Sequence, residues 1–277
     1  MAKMATIATR RSKIISALIF PRLPRLSTAL IYTFFIAAFL SPLQYVAIAP
    51  GTPQGIFPEL VKVDSKGGAK AFPTDGQFYL LTIRVTSPGA YLSGVEGLYR
   101  WVRTDQVLLP SSVIYPPGIT SEEEEKQSKK EMKGSQDFAR SVALGYLVKN
   151  YPNRGYEELT PDDISIDVKK VGGPSGGMIF TLAVIELLTK ESLLNGRSVA
   201  GTGTIDEDGT IGPIGGIQEK LIAAKRAGVD LFLAPKENCS ELSSIPEGIT
   251  VAAVGTIDEA VAALSSSTPK GCDSLGA

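Results

Sequence analysis

A glycine-framed serine and a lysine within an apolar helical pattern are the two residues whose surroundings favour covalent chemistry. Ser175 stands in the string Gly-Gly-Pro-Ser-Gly-Gly, and Lys220 follows Ile217 by three residues and precedes Ala224 by four. The 277 residues include no histidine, so a Ser-His-Asp triad is excluded. A lysine can replace the imidazole as the base when burial removes its proton.

The surroundings of Ser175 suit a nucleophile beside the start of a helix, although this segment alone favours a helix cap. Glycines let the backbone approach a substrate closely, and the free N–H groups of a helix N-terminus stabilise a developing oxyanion. Two other interpretations remain open: Ser175 caps the helix, or the loop binds phosphate. The absence of a GxxxxGK[ST] motif excludes a P-loop.

The pattern around Lys220 allows two positions for its amine. Ile217, Leu221 and Ala224 form an apolar stripe at helical spacing, and Lys220 lies on that stripe. The amine either extends to solvent or is buried and neutral. To act as a catalytic base, the amine must be buried and neutral, with its pKa lowered from about 10.4 to roughly 7–8. Desolvation causes pKa shifts of that size.

The composition excludes several other classes of site. The two cysteines, Cys239 and Cys272, form no Cys-x-x-Cys pair, so no zinc site is expected. The string Asp206-Glu207-Asp208-Gly209 lacks the later ligands of a calcium loop, which favours a hairpin turn and no metal. The acidic balance after residue 25 argues against nucleic acid as a partner. Because Cys272 lies in a Ser- and Gly-rich tail, we expect two unpaired thiols, although a disulfide remains open outside the cytoplasm.

The N-terminal sequence predicts a single-pass membrane anchor. Residues 1–25 hold six basic residues and no acid, and Leu26–Ala49 is 24 residues without a charge, enough to cross a bilayer as a helix. The positive-inside rule puts the N-terminus in the cytoplasm and the domain after residue 50 outside the cell membrane. A cleaved signal peptide is the alternative, because Ala47-Ile48-Ala49 has the small-x-small form, but Pro50 would disfavour cleavage there.

Strands alternate with helices along the rest of the chain and predict an α+β or α/β domain over roughly residues 58–265. Alternating or apolar runs predict strands at Phe78–Val85 and Ser198–Ile205. A capping box formed by Ser121 and Glu124 predicts a long helix that ends near Lys149.

Four ordered strings resemble the proteolytic domain of Lon-type serine proteases. The strings are Gly173-Pro174-Ser175-Gly176-Gly177, Gly201-Thr202-Gly203, Gly212-Pro213-Ile214-Gly215-Gly216-Ile217-Gln218-Glu219-Lys220-Leu221 and Pro235-Lys236-Glu237-Asn238. The resemblance implies a fold related to GHMP kinases, with Ser175 as nucleophile, Lys220 as general base and Thr202 orienting the lysine. It also implies that backbone N–H groups of Gly173, Ser175 and Gly176 bind the oxyanion.

The whole outline is similar to the membrane-anchored, ATP-independent bacterial Lon-like proteins. No ATPase module is expected within these residues, because the P-loop motif is absent. About fifteen residues separate the helix that ends near Lys149 from a strand at Ile164, too few for the PDZ module of that group. The expected organisation is a cytoplasmic segment at 1–25, a transmembrane helix at 26–49, a linker at 50–73, a β-rich part at 74–130, the Lon-type proteolytic domain at 131–265 and a disordered tail at 266–277.

The expected function is a serine endopeptidase that cleaves unfolded or flexible polypeptides without a cofactor. Lon-type domains commonly form rings, so the resemblance implies a homo-oligomer. One alternative is a catalytically silent, membrane-tethered binding protein of the same fold. A further alternative is a small-molecule kinase of the GHMP type, which would bind a nucleotide at the glycine-rich helix start.

Overall fold

A computed structural model describes residues 24–64, 70–168 and 171–272. The expected basic segment up to residue 23 and the end of the tail, 273–277, lie outside the described residues. The helices are α1 (Arg25–Leu40), α2 (Gly94–Val102), α3 (Ser111–Ile114), α4 (Ser121–Asn150), α5 (Gly177–Leu188), α6 (Ile217–Arg226) and α7 (Ile257–Ser265), with 3₁₀ turns at Tyr156–Glu158, Pro161–Asp163 and Lys236–Glu241. The strands are β1 (Pro42–Leu43), β2 (Tyr45–Pro50), β3 (Gln54–Gly55), β4 (Val61–Val63), β5 (Gln77–Leu80), β6 (Ile83–Val85), β7 (Leu92–Ser93), β8 (Val107–Pro110), β9 (Ile164–Ile166), β10 (Ser198–Gly201), β11 (Thr204–Ile205), β12 (Ile211–Gly212), β13 (Leu231–Pro235) and β14 (Thr250–Val254).

A five-stranded sheet in the order β14-β13-β10-β5-β3 forms the centre of a mixed α/β fold. Its first four strands are parallel, and β3 joins antiparallel to β5. Side chains alternate between the two faces: Phe78 and Leu80 pack in a cluster with α4, α5 and α7, whereas Tyr79 packs against the cluster that contains α6. Helices therefore cover both faces, which explains why the strands read as nearly continuous apolar runs.

Helix α5 lies wholly inside the protein. All twelve of its residues are buried, and it packs between the central sheet and the long helix α4. A helix that is apolar on every side requires such a position. Its buried glutamate, Glu186, is compensated by hydrogen bonds from the Leu193 N–H and the Ser192 hydroxyl.

Helix α4 contributes an apolar stripe to the same core, although its cap differs from the expected one. Thr120, rather than Ser121, is the N-cap: its hydroxyl accepts the Glu123 N–H, and the Glu123 carboxylate accepts the Thr120 N–H. The sequence also offers a Thr-x-x-Glu box one residue earlier, and the helix starts in that register, in which the N–H groups of Thr120 and Glu123 are the two satisfied donors.

Both long strands expected from the sequence divide into two. The expected strand Phe78–Val85 becomes β5, which pairs with β10, and β6, which pairs with β2 in a second sheet of order β6-β2-β8. The expected strand Ser198–Ile205 becomes β10 and β11, and β11 pairs with β12. Hydropathy identified the strands but not their breaks, at which the chain leaves the central sheet.

The expected transmembrane helix at 26–49 is wrong in its extent. Helix α1 ends at Leu40, and the following segment forms β1 and β2, with Val46–Pro50 buried in the second sheet. Pro42 cannot continue a helix, and β2 finds pairing partners on both sides in β6 and β8. Across residues 24–64, 70–168 and 171–272, no helix combines the length and the apolar character that a bilayer crossing requires.

The expected linker at 50–73 is also incorrect where the structure describes it. It contains β3 and β4, and it places Ile56 and Val61 in the core at 0% and 1% exposure. The expected boundary between the β-rich part and the proteolytic domain, at residue 130, falls inside helix α4. Strand β5 of the β-rich part also pairs with β10 of the proteolytic domain. The β-rich part at 74–130 and the proteolytic domain therefore share one core.

The C-terminal tail is ordered as far as Cys272, against the expectation for 266–277. Cys239 and Cys272 form a disulfide with their Cα atoms 5.1 Å apart, so the expected unpaired thiols are also wrong. The Ala253 N–H donates to the Lys270 carbonyl, and Cys272 packs in the core beside Leu221 of α6. The disulfide forms because the chain after α7 folds back against the core. The amino-acid composition of the tail does not reveal this path.

Candidate active site

Ser175 and Lys220 meet at the carboxyl end of the central parallel strands. Ser175 precedes α5 on one face of the sheet, and Lys220 lies on α6, which covers the other face. Thr202 follows directly after β10, between them. Ligand sites of open α/β sheets lie at this edge, because loops from both faces converge there.

The three side chains are in hydrogen-bond contact. Lys220 Nζ lies 2.8 Å from Ser175 Oγ and 2.9 Å from Thr202 Oγ1. The Thr202 hydroxyl donates to the Ser175 carbonyl oxygen at 3.0 Å, and the Gly203 N–H donates to the same oxygen. The amine is therefore held between two hydroxyls, one of which also fixes the backbone of the serine.

The Lys220 amine is buried rather than extended to solvent. The residue is 2% exposed, and burial lowers its pKa to about 7. Desolvation is the cause, because the charged form loses its hydration and no carboxylate contributes. A substantial fraction of the amine is therefore neutral near pH 7 and able to accept the proton of Ser175.

The loop around Ser175 leaves two backbone donors available beside the hydroxyl. Among the described residues, no acceptor pairs with the N–H groups of Ser175 and Gly176. Gly176 must lack a side chain, because a Cβ there would lie 2.6 Å from the Phe180 ring. The Gly173 N–H, by contrast, donates to the Ser128 carbonyl at 2.9 Å, so the structure contradicts its expected place in the oxyanion site. Gly173 has a φ of +82°, in the left-handed region that favours glycine.

A buried asparagine fixes the loop that introduces α6. Asn238 is fully buried; its amide oxygen accepts the Ile214 N–H, and its amide NH₂ donates to the Ile214 carbonyl, both at 2.9 Å. The helix then starts after Gly216, whose φ of +71° is left-handed and favours glycine. Asn238 thereby positions the helix that carries Lys220.

Ser135 supports the site and was not identified as a site residue from the sequence. Its hydroxyl, on α4, donates to the Pro174 carbonyl at 2.8 Å, and the residue is 4% exposed. The available signal was its position between Met132 and Ala139 in the apolar stripe of α4, where a polar side chain needs a buried partner.

A groove of about 1130 Å³ opens over Ser175. Strand β6 lines one side, Gly172, Gly173 and Val171 line another, and the first turns of α4 contribute Glu124, Glu125 and Lys129. Its volume slightly exceeds the roughly 300–1,000 Å³ of typical small-molecule pockets and leaves room for an extended peptide.

Strand β6 is an edge strand whose free side faces this groove. The Thr86 N–H donates to the Ala47 carbonyl, and the Gly51 N–H donates to the Thr82 carbonyl, so even-numbered residues bond toward β2. Because pairing alternates along an antiparallel strand, the backbone groups of Ile83 and Val85 point the other way. Both residues line the groove, and no hydrogen bond from the described part of the chain engages their N–H and C=O groups there.

The described residues contain no candidate metal centre. Nowhere in 24–64, 70–168 and 171–272 do three His, Cys, Asp or Glu side chains come together in a metal-binding arrangement. The Asp206–Gly209 string is a turn between β11 and β12, closed by a Gly209 N–H bond to the Asp206 carbonyl. The Asp208 carboxylate accepts the Thr210 N–H at 2.9 Å, so it serves the turn.

Comparison with known proteins connects this geometry to a family. Residues 131–265 match the family described as the Lon protease (S16) C-terminal proteolytic domain. The chain is 35% identical over 120 residues to the mitochondrial Lon protease homolog of Debaryomyces hansenii, covering 43% of this chain and 11% of that protein. It is 35% identical over 139 residues to the Lon protease of Haemophilus influenzae, covering 49% and 17%. Identity to the Lon protease of Chloroflexus aggregans is 38% over 114 residues, covering 39% and 14%.

The similarity is confined to one part of the much longer relatives, since the chain covers only 11–17% of these proteins. The matched residues of this chain, 131–265, include Ser175, Thr202, Lys220 and Asn238. Every side chain in contact with the Lys220 amine therefore lies within the match. Residues 131–265 are therefore similar to the Lon-type (S16) proteolytic domain, the domain of a serine peptidase family.

Proposed function

We propose that this protein is a serine endopeptidase in which Ser175 is the nucleophile and Lys220 the general base. The observation that carries the proposal is the 2.8 Å contact of Ser175 Oγ with an amine that is 2% exposed and has a pKa of about 7. Neutral Lys220 accepts the hydroxyl proton while Oγ attacks the carbonyl carbon of a peptide bond. Thr202 positions the amine through its hydroxyl.

The remaining steps follow from the same groups. The N–H groups of Ser175 and Gly176 stabilise the oxyanion of the tetrahedral intermediate. Protonated Lys220 then gives its proton to the leaving amine, and an acyl-enzyme remains on Oγ. Water attacks this ester with Lys220 again accepting a proton, which releases the new carboxylate and restores Ser175.

Substrates are polypeptide segments in an extended conformation. The groove presents the unpaired backbone groups of Ile83 and Val85, and a peptide can add to this edge as a further strand. Recognition through the main chain tolerates many side chains but requires unfolded or flexible protein. With no PDZ module between α4 and β9, the groove itself selects the substrate. A pre-formed dyad supports cleavage without ATP.

Attachment to a membrane through α1 is part of the proposal. The helix has no charge after Arg25, and none of its residues is buried. The disulfide supports a location outside the cytoplasm, where such bonds persist. Flotation of the full chain with lipid vesicles tests the attachment; a chain that stays with the dense fraction contradicts it.

Casein cleavage by wild type and Ser175→Ala tests the enzymatic proposal. We expect wild type to cleave without nucleotide and Ser175→Ala to be inactive, while a fluorophosphonate labels Ser175 in wild type only. Equal cleavage by the two proteins contradicts the mechanism. A folded protein that neither cleaves nor accepts the probe supports the alternative of a silent binding protein.

A peptide series tests recognition by the β6 edge. Each backbone N–H of a cleaved peptide is methylated in turn, which removes one donor and leaves the side chains unchanged. Because strand pairing alternates, we expect cleavage to fall at every second position on the bound side of the scissile bond. A uniform effect along the peptide contradicts binding as an added strand.

A further inference from the structure

Helix α2 turns its apolar face away from the protein. Val95, Leu98, Tyr99 and Val102 recur at helical spacing and are 49–69% exposed. Gly97, on the opposite side, is buried and faces Leu43. A surface helix of a globular protein ordinarily shows the reverse arrangement, with the apolar stripe against the core.

The residues around this face have the chemistry of a membrane interface. Trp101 is 74% exposed and Tyr91 is 61% exposed, and both rings combine an apolar body with a polar group. Arg100 pairs with Glu96, and Arg103 pairs with Asp105, so charged groups border the apolar stripe. Tryptophan and tyrosine concentrate at lipid headgroup level, and arginine extends toward the phosphates.

The position of α2 along α1 places it at the level of that interface. The Gly94 N–H donates to the Ser41 carbonyl, and β1 pairs with β7 just before α2 begins. Gly94 lies so close to α1 that a Cβ there would be 2.1 Å from the Ala38 carbonyl oxygen. The amphipathic helix therefore starts where the uncharged apolar helix ends, which is the depth of the headgroups if α1 inserts into lipid.

An ion-pair link joins this region to the catalytic helix. Asp105 accepts hydrogen bonds from Arg103 and from Arg226, the last residue of α6. These bonds hold the pKa of the Asp105 carboxyl well below its usual range, so the link persists at neutral pH. Helix α6 also carries Lys220.

We propose that α2 lies in the lipid headgroup region and seats the catalytic domain on the membrane surface. The inference rests on the proposed attachment through α1 and adds a second, interfacial contact. The occupant of the apolar stripe is lipid, because the stripe continues onto an uncharged exposed helix and is bordered by tryptophan, tyrosine and arginine. The groove over Ser175 is thereby held at a fixed distance from the bilayer.

Trp101 is the only tryptophan of the chain, so its fluorescence reports on α2 in the full protein. The chain is reconstituted in vesicles of phosphatidylcholine and phosphatidylglycerol that carry a nitroxide either near the headgroup or near the acyl-chain end. We expect stronger quenching by the shallow nitroxide than by the deep one, together with protection from aqueous iodide. The matched control is Trp101→Phe with Phe138→Trp, which moves the tryptophan to α4; lipid nitroxides should not quench it.

Each outcome separates this inference from the attachment on which it rests. In one outcome the chain floats with vesicles, but iodide quenches Trp101 and neither nitroxide-labelled lipid does. This outcome supports the attachment through α1 and overturns the proposed role of α2. A chain that does not float overturns both. In another outcome Trp101 is protected from iodide in the absence of vesicles and the protein is a dimer in solution. The apolar stripe of α2 then binds a second copy of the chain, which overturns the inference. The double variant Leu98→Asp, Val102→Asp should still float through α1 and lose most of the quenching by the shallow nitroxide.

Discussion

Helices α1 and α5 have similar apolar character and opposite surroundings. Every residue of α5 is buried between the central sheet and α4, whereas no residue of α1 is buried. Burial of apolar side chains contributes about 25 cal/mol per Å² in either case, so each helix needs a partner. The protein supplies the partner of α5. The partner of α1, in our proposal, is lipid.

The difference shows where the fold obtains its chemistry. Because α5 and α6 exclude water on the two faces of one sheet, Lys220 loses hydration and its pKa falls to about 7. The region around α1 and α2 has no such interior and presents apolar surface outward. One region thus creates a dry site for proton transfer, and the other creates a surface for attachment.

Loss of the buried amine should have the largest effect. Lys220→Met keeps the volume and removes the base, so we expect acylation of Ser175 to fall by roughly 10³-fold or more. The matched control is Lys225→Met on the same helix, which should retain activity because Lys225 does not contact Ser175. Fluorophosphonate labelling rates measure both. Unchanged labelling of Lys220→Met would show that the dry region does not supply the base.

Removal of the disulfide tests how strongly the tail secures the buried region. Cys272→Ser should lower the free energy of unfolding by about 3–4 kcal/mol, since the bond closes a loop of 33 residues. Urea denaturation with and without reductant provides the measurement. Reductant should bring wild type to the stability of the variant and leave the variant unchanged; a reductant-insensitive wild type contradicts the account.

The buried amine should also cost stability, in contrast to the apolar residues around it. With a folded pKa of about 7 and an unfolded pKa of 10.5, Lys220 binds more protons in the unfolded state between these values. The cost to stability is therefore largest below pH 7 and decreases as pH rises from 7 toward 10. We expect Lys220→Met to be more stable than wild type at pH 7, and we expect this stability difference to shrink by about 2 kcal/mol between pH 7 and pH 9. Urea unfolding of both proteins at pH 7 and at pH 9 provides the measurement. An equal stability difference at the two pH values contradicts the lowered pKa of Lys220.

A smaller effect is expected from the buried hydroxyl that fixes the nucleophile loop. Ser135→Ala leaves the Pro174 carbonyl without its donor, so we expect kcat to fall about tenfold with KM unchanged. The exposed Ser141 on the same helix supplies the control, Ser141→Ala, which should behave as wild type. A change in KM alone would place Ser135 in substrate binding, and recovery by Ser135→Thr would support positioning.

The sequence sufficed to predict which residues meet at the site, because local signals and ordered motifs coincide there. Ser175, Thr202 and Lys220 lie within strings whose spacing resembles one family, and Lys220 lies on an apolar stripe that the fold buries. Gly173 could not be assigned correctly, because its N–H bonds to Ser128 on α4, far away in sequence.

Errors elsewhere share a physical cause, namely long-range pairing that overrides local composition. Residues 45–49 read as part of an apolar helix, yet β6 and β8 pair with them as a strand. The tail reads as disordered, yet Cys272 packs beside α6 and joins Cys239. The outward stripe of α2 is visible only once Gly97 is known to face the protein.

The pH dependence of Ser175 acylation tests the central claim most directly. The second-order rate constant for fluorophosphonate labelling of the full chain is measured from about pH 5.5 to about pH 9.5. The account expects a single rise with a midpoint at about pH 7, because only the neutral amine of Lys220 accepts the proton. A rate that is flat across this range, or that rises only toward the ordinary pKa of lysine, contradicts a desolvated Lys220 as the base.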